Sequence, residues 1–165
     1  MADQPRRIQL RRTKGFNLQR ESLALNGLPA VKVDRSTQWG NVYRVGMYKN
    51  FTAADAVEAF RYRLKENIHL DARWIMEHIH ELRKKNLACW CRLCQAHASG
   101  KPLGVVCPDC APCHVDVYGD ILLSAIGSDT SATPGTLSNT GLRLMANSVN
   151  GTVFVRCAGN SGSSR

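Results

Sequence analysis

The chain has no apolar run approaching the roughly 18 residues needed to span a bilayer, so a membrane-embedded protein is not expected. Its first residues, MADQPRRIQL, lack the apolar stretch of a secretory signal. Export through the general pathway is therefore not expected, and the cytoplasm is the default compartment. Acidic residues are scarce: 13 Asp and Glu stand against 22 Lys and Arg, a formal net charge of +9, with a pI near 9.5. Such a balance favours anionic partners (nucleic acid, nucleotides or acidic proteins) without choosing among them. No internal repeat is present. A length of 165 residues suits one domain with a real hydrophobic core plus appendages, and is short for two domains.

Cysteine, by contrast, is concentrated. Six of the seven cysteines and two of the five histidines fall between Cys89 and His114, in CWCRLCQAHASGKPLGVVCPDCAPCH. Disulfides are rare inside cells, so clustered thiols there more often hold metal. Eight candidate ligands are available, enough for two ions: Cys89, Cys91, Cys94, His97, Cys107, Cys110, Cys113 and His114. Two partitions fit the spacing of tetrahedral zinc sites. In the first, Cys94, His97, Cys107 and Cys110 form a C-x2-H…C-x2-C ribbon, while Cys89, Cys91, Cys113 and His114 close the base of the loop. In the second, Cys91, Cys94, Cys107 and Cys110 form a C-x2-C-x12-C-x2-C site and leave a weaker set of Cys89, His97, Cys113 and His114. The first is preferred because it leaves no poor remainder. Cys89 and Cys91, two apart on a predicted strand, direct their sulfurs to the same face.

Zinc is expected rather than an iron–sulfur cluster, since Cys107, Cys110 and Cys113 are not followed by C-x3-C-P. The absence of any H-x-E excludes the zinc nucleobase deaminases. A thiolate held by zinc is also a poor free nucleophile. Two structural zinc ions are therefore the preferred reading, and no catalytic residue is assigned. His69, His78 and His80 read as ordinary helix residues.

Along the chain, RIQLRR reads as a strand with TKG as its turn, followed by a variable loop. LPAVKVDRS reads as a second strand entering TQWGN, where a tight turn follows an exposed or half-exposed Trp39. FTAADAVEAFRYRLKEN carries a cap signature in Thr52 and Asp55 and a helical stripe in Ala53, Val57, Phe60 and Leu64. DARWIMEHIHELRKKN is a second helix, NLACWC a short buried strand, and HVDVYGDILLSAIG a last helix stopped by Gly127. The order predicts a small single α/β domain over 6–127, with a short sheet, about three helices and a zinc-binding cysteine-rich loop. Ligands of such sheets gather beyond the carboxyl ends of the strands, so the TQWGN and cysteine loops could face one cleft. After 127 the composition turns polar and small. Residues 128–165 read as a flexible linker and tail, with a possible hairpin at 142–156 and an isolated thiol at Cys157.

RRTKGF (11–16), DRSTQWGNVYRVG (34–46), LACWC (87–91) and PCHVDV (112–117), in this order, resemble a family of phage and bacterial proteins catalogued as domain of unknown function 4326, over about residues 6–125. The resemblance implies no reaction. It does imply that the C-W-C strand and P-C-H helix are ordinarily joined by a much shorter loop, so that 92–111 is a zinc-ribbon-like insertion bringing its own four ligands. Members of the family usually have proline after W-G-N, where this chain has Val42.

Three functional readings follow. The first is a zinc-binding module for nucleic acid or a nucleotide: Arg11, Arg12 and Lys14 would contact phosphate, Trp39 would stack on a base, and Asn41 would read its edge. Trp39 could equally be a core or turn-packing residue, and the basic stretch a solubilising edge. The second is an enzyme acting on a nucleotide or related small anionic substrate, in a cleft formed by RRTKG, QWGN and the start of the last helix, with Asp116 or a histidine as acid or base. The third is a phage factor that binds a host protein. No membrane partner is expected.

Overall fold

A computed structural model describes residues 4–126. The linker, hairpin and Cys157 expected after 127, and the Gly127 stop, lie outside the described residues. The described residues form four strands and four α-helices, in the order β1 Arg6–Gln9, α1 Leu18–Asn26, β2 Ala30–Lys32, α2 Ala53–Glu66, α3 Leu70–His78, β3 Asn86–Cys89, β4 Lys101–Pro102 and α4 His114–Ile126. The sheet runs in the order β2-β3-β1-β4. β3 pairs parallel with both β1 and β2, with Ile8 opposite Ala88 and Val31 opposite Leu87. β4 adds an antiparallel edge to β1. The α/β class is as expected.

The period-two alternation of the strands divides two cores between the faces of the sheet. Ile8, Leu10, Ala30 and Ala88 form one cluster, with Phe16, Leu18 and Leu25 packed on it, so α1 covers this face. Val33, Leu87 and Cys89 join Phe60, Leu64, Ile75, Leu82, Val115 and Tyr118 in the larger cluster, where α2, α3 and α4 cover the other. Every residue of β3 is buried, as its central place requires.

α2 begins where the sequence predicts, because Thr52 and Asp55 close a reciprocal capping box. α1 is a correction, since that stretch reads as a loop. Its apolar pattern is thin: Leu23 is 53% exposed and Ser22 is its one fully buried residue. Its ends are nevertheless well made, with Asn17 accepting from the Arg20 amide and Gly27 closing the helix in the left-handed region at φ 72°. Ser22 also helps to anchor β3: the buried Asn86 amide donates to Ser22 Oγ at 2.8 Å and to Asn26 Oδ1 at 2.7 Å. β4 is a second addition, and it has no local signal because its two residues are ordered by pairing with β1.

Candidate metal centres and cleft

The loop that follows β2 folds on itself. Asp34 Oδ1 accepts from the Ser36 amide at 3.0 Å and from its hydroxyl at 2.6 Å, and the Asp34 carbonyl accepts from the Thr37 amide. Arg35 donates to the carbonyls of Asn41 and Tyr43. Gly40 is required by close approach, since a Cβ there would stand 2.5 Å from Arg35 Cα.

This folding overturns the expected exposure of Trp39, which is 8% exposed and packs against Trp74 and Tyr118. The Tyr118 hydroxyl donates to the Trp39 carbonyl at 2.6 Å. The indole is held in the core and has no free face for a base. Asn41 is buried as well: its amide donates to the Ala56 carbonyl at 2.8 Å, and its Oδ1 accepts from the Tyr43 amide. Both residues shape the loop.

The two cysteine groups take different forms. In the ribbon, Cys94, His97, Cys107 and Cys110 bring their ligand atoms within 4.8 Å of one another. Cys94 Sγ lies 3.8 Å from Cys107 Sγ and 3.3 Å from His97 Nδ1, which is 3.5 Å from Cys110 Sγ. A tetrahedral ion with bonds of about 2.3 Å to sulfur and 2.0–2.1 Å to nitrogen needs edges of roughly 3.8 and 3.5 Å. The observed separations match these edges. The Cys94 amide donates to Cys110 Sγ at 3.4 Å, a contact that favours a thiolate. Burial pushes the Cys110 thiol up to about 11, so an ion must displace its proton.

At the base of the loop, Cys89, Cys91 and Cys113 form the second group. Cys89 and Cys91 Sγ are 3.7 Å apart, again a tetrahedral edge, although β3 ends at Cys89. The three thiols share their protons unequally. Hydrogen bonds from Cys113 and Cys91 bring Cys89 down to about 2. Cys91 is lowered by its bond with Cys113 but raised more by Cys89 and by burial, and stands at about 11. Cys113 is raised by Cys89, Cys91 and its own burial. One thiolate is thus already favoured, and a dication would have to displace the other protons.

His114 does not join this group. Its Nε2 lies 2.6 Å from the Val33 carbonyl, and its Nδ1 is 3.9 Å from Cys113 Sγ. Burial lowers its pKa, so the ring is neutral, with Nε2 donating to the carbonyl and Nδ1 left as the acceptor. Among the described residues no disulfide joins these cysteines, and either group could hold a metal ion.

A cleft of about 300 Å³ connects the loops. Asp34, Arg35, Ser36 and Asn41 contribute from the loop after β2, Ala53, Ala56 and Val57 from α2, Cys89, Trp90 and Cys91 from the end of β3, and Pro112, Cys113 and His114 from the start of α4. The two loops therefore do face one cleft. Trp90, which sequence reasoning passed over, is its aromatic wall. It is 43% exposed between two cysteines that turn inward, the outward position of a period-two alternation that was readable in C-W-C. Its Nε1 donates to Asp34 Oδ2 at 2.6 Å, and the Arg12 guanidinium lies 5.1 Å from the ring centroid. Burial raises the Asp34 carboxyl, but hydrogen bonds from Ser36 and Trp90 outweigh it and keep the group ionised.

The basic residues do not converge on this cleft. Arg12 reaches it through Trp90, and Lys14 is exposed. Arg11 donates to the Ala98 carbonyl of the ribbon and lines a separate hollow with Phe16 and Leu25. Asp116, a candidate acid or base, is committed to ion pairs with Arg7 at 3.0 Å and Lys101 at 2.7 Å.

The fold and these groups define a small α/β protein with two candidate metal centres, one of which borders the cleft walled by Trp90. The family model described as "Domain of unknown function (DUF4326)" matches residues 8–124, and the chain belongs to that family. No curated protein and no solved structure matches it. Among the described residues, no helix is long and apolar enough to cross a membrane.

Proposed function

We propose that the protein is a module stabilised by two zinc ions that binds a nucleotide or a nucleic-acid segment in the cleft beside Cys89, Cys91 and Cys113. The observation that carries this reading is Trp90, a half-exposed indole on the cleft wall, held at its edge by Asp34 and backed by the Arg12 guanidinium. Such a ring offers a stacking platform, worth about 1–3 kcal/mol per base. Arg35 on the same cleft, Arg12 beside Trp90, and the net charge of +9 supply attraction for phosphate. Zinc follows from the donor set, thiolates with one imidazole at tetrahedral spacing.

A thermal-shift screen of nucleotides and short single strands tests the proposal, because a ligand of the native state raises its melting point. For the best ligand, Trp90→Ala should weaken binding by roughly 5- to 150-fold while Trp90→Phe retains most of it, and affinity should fall steeply with salt. The proposal fails if nothing binds at low salt, or if Trp90→Ala binds like the wild type.

An enzyme acting on a nucleotide or small anionic substrate is the second reading. It is favoured by the meeting of the loop after β2 and three thiols on one cleft. It is weakened by the commitment of Asp116 to Arg7 and Lys101. Turnover of the ligand found in the screen would decide between the two.

A further inference from the structure

We infer that the ion at Cys89, Cys91 and Cys113 is held by three thiolates and takes its fourth ligand from the cleft, as a thiol sulfur or an unprotonated ring nitrogen of an incoming molecule. The inference rests on the reading of this group as a zinc site. It goes further by making the ion part of the binding surface.

The base group differs from the ribbon in its number of ligands. There four ligand atoms close a tetrahedron, whereas at the base no fourth His, Cys, Asp or Glu among the described residues joins the three sulfurs. His114 is the nearest candidate, and its position explains why it stays out. It opens α4, directly after Cys113, which lies just outside the helix. Cys113 joins Cys89 and Cys91, whereas the His114 ring turns to the carbonyl of Val33 beyond the end of β2. The ring is then pinned by Nε2 at 2.6 Å from the Val33 carbonyl and by edge-on contacts with Phe60 and Tyr118, both at 0% exposure. Swinging Nδ1 onto the ion would disturb that packing.

The fourth position has space instead. All three cysteines line the cleft of about 300 Å³, and Cys91 is only half-buried. A water molecule occupies about 30 Å³ of liquid, so the cleft can admit a small organic ligand. Three thiolates on a dication leave a net charge of −1, which disfavours hard anions and suits soft or borderline donors. An incoming ligand that stacks on Trp90 would lie in the same cleft as the ion, because Trp90 lines that cleft together with the three cysteines.

Zinc K-edge X-ray absorption of the full wild-type chain loaded with zinc tests this directly, with 2-mercaptoethanol and imidazole as probes. Without a probe, two ions per chain should show about 3 sulfurs per ion, with one imidazole between them, that of His97. Saturating 2-mercaptoethanol should raise the sulfur count to about 3.5, and imidazole should double the imidazole count. His114→Gln should keep two ions and the same sulfur count. Two imidazoles per pair without a probe would overturn the inference by showing His114 bound, as would counts that neither probe moves. A folded His114→Gln chain that loses an ion would also overturn it. One ion per chain would overturn both this inference and the two-ion reading, whereas failure to bind nucleotides would overturn only the latter's proposed function.

Discussion

The two cysteine groups each bring three thiols together, the ribbon adding His97, but they depend on their surroundings in opposite ways. The base group is embedded in the main core, where Cys89 and Cys113 belong to a cluster with Phe60, Leu87, Val115 and Tyr118. The ribbon has a cluster of only Leu93, Cys107 and Cys110, with Cys94 packed against it. So small an apolar cluster cannot offset the conformational entropy of ordering the loop around it. The base thiols are therefore positioned by the fold, and the ribbon ligands would be positioned by their ion. Between the two regions stands a buried ionic clasp. Arg7 on β1, at 0% exposure, donates to the carbonyls of Cys91 and Ala111 and pairs with Asp116, which also pairs with Lys101 of β4.

Removing metal should break the comparison most completely. Binding to small structural zinc sites supplies on the order of 10–16 kcal/mol, which is then folding free energy. Under a chelator, amide hydrogen exchange should rise towards unprotected rates at 94–100 and 104–110, while β1, β3, β4, α2 and α4 keep their protection. Equal loss in both regions would show that the core depends on metal as much as the ribbon does.

Arg7→Ala should come next, because removing one member of a buried ionic network leaves charge and carbonyls without their partner, at about 3–5 kcal/mol. Urea unfolding would measure the loss. A variant within 0.5 kcal/mol of the wild type, the scatter of ordinary surface changes, would mean that the clasp does not join the regions.

The smallest effect should fall on the core alone. Arg63 donates twice to Asp71 across the α2–α3 junction, at 3.0 and 2.7 Å, and this bond holds the Asp71 carboxyl below its ordinary range. A depressed native pKa stabilises the fold above the unfolded value of about 3.9 and loses that contribution as pH falls through the native value. Asp71→Asn should thus lower stability at neutral pH by about 0.2–1 kcal/mol, the range for partly exposed pairs. Melting curves of variant and wild type should converge below about pH 4. A gap that persists in acid would assign the loss to packing rather than charge.

Much of the fold could be read in advance where a local signal coincides with a tertiary need. The capping box at Thr52 and the stripe through Phe60 and Leu64 located α2, and both side chains of that stripe are buried. α1 escaped because the face it buries is small, so the informative residues were its end signals, Asn17 and Gly27, rather than its apolar spacing. The ribbon partition was legible in C-x2-H and C-x2-C, since short spacings constrain where ligand atoms can go. Trp39 was misjudged because a tryptophan beside a tight turn can face inwards or outwards, and the choice was made by Trp74 and Tyr118 from distant elements.

Composition, charge, the dense cysteines and the alternation of strands and helices were set by the order of residues alone, because each depends on local chemistry or on short-range periodicity. The tertiary structure decided which ligands meet and which residues reach the cleft. His114 and Cys113 are neighbours in the chain, yet one reaches the Val33 carbonyl from the first residue of α4 and the other joins the thiols from just before it. Trp39 and Trp90 are equally plausible aromatic platforms by residue type, and packing buried the first and left the second on the cleft wall. Side-chain direction depends on where elements distant in sequence come to rest, and spacing along the chain does not encode it.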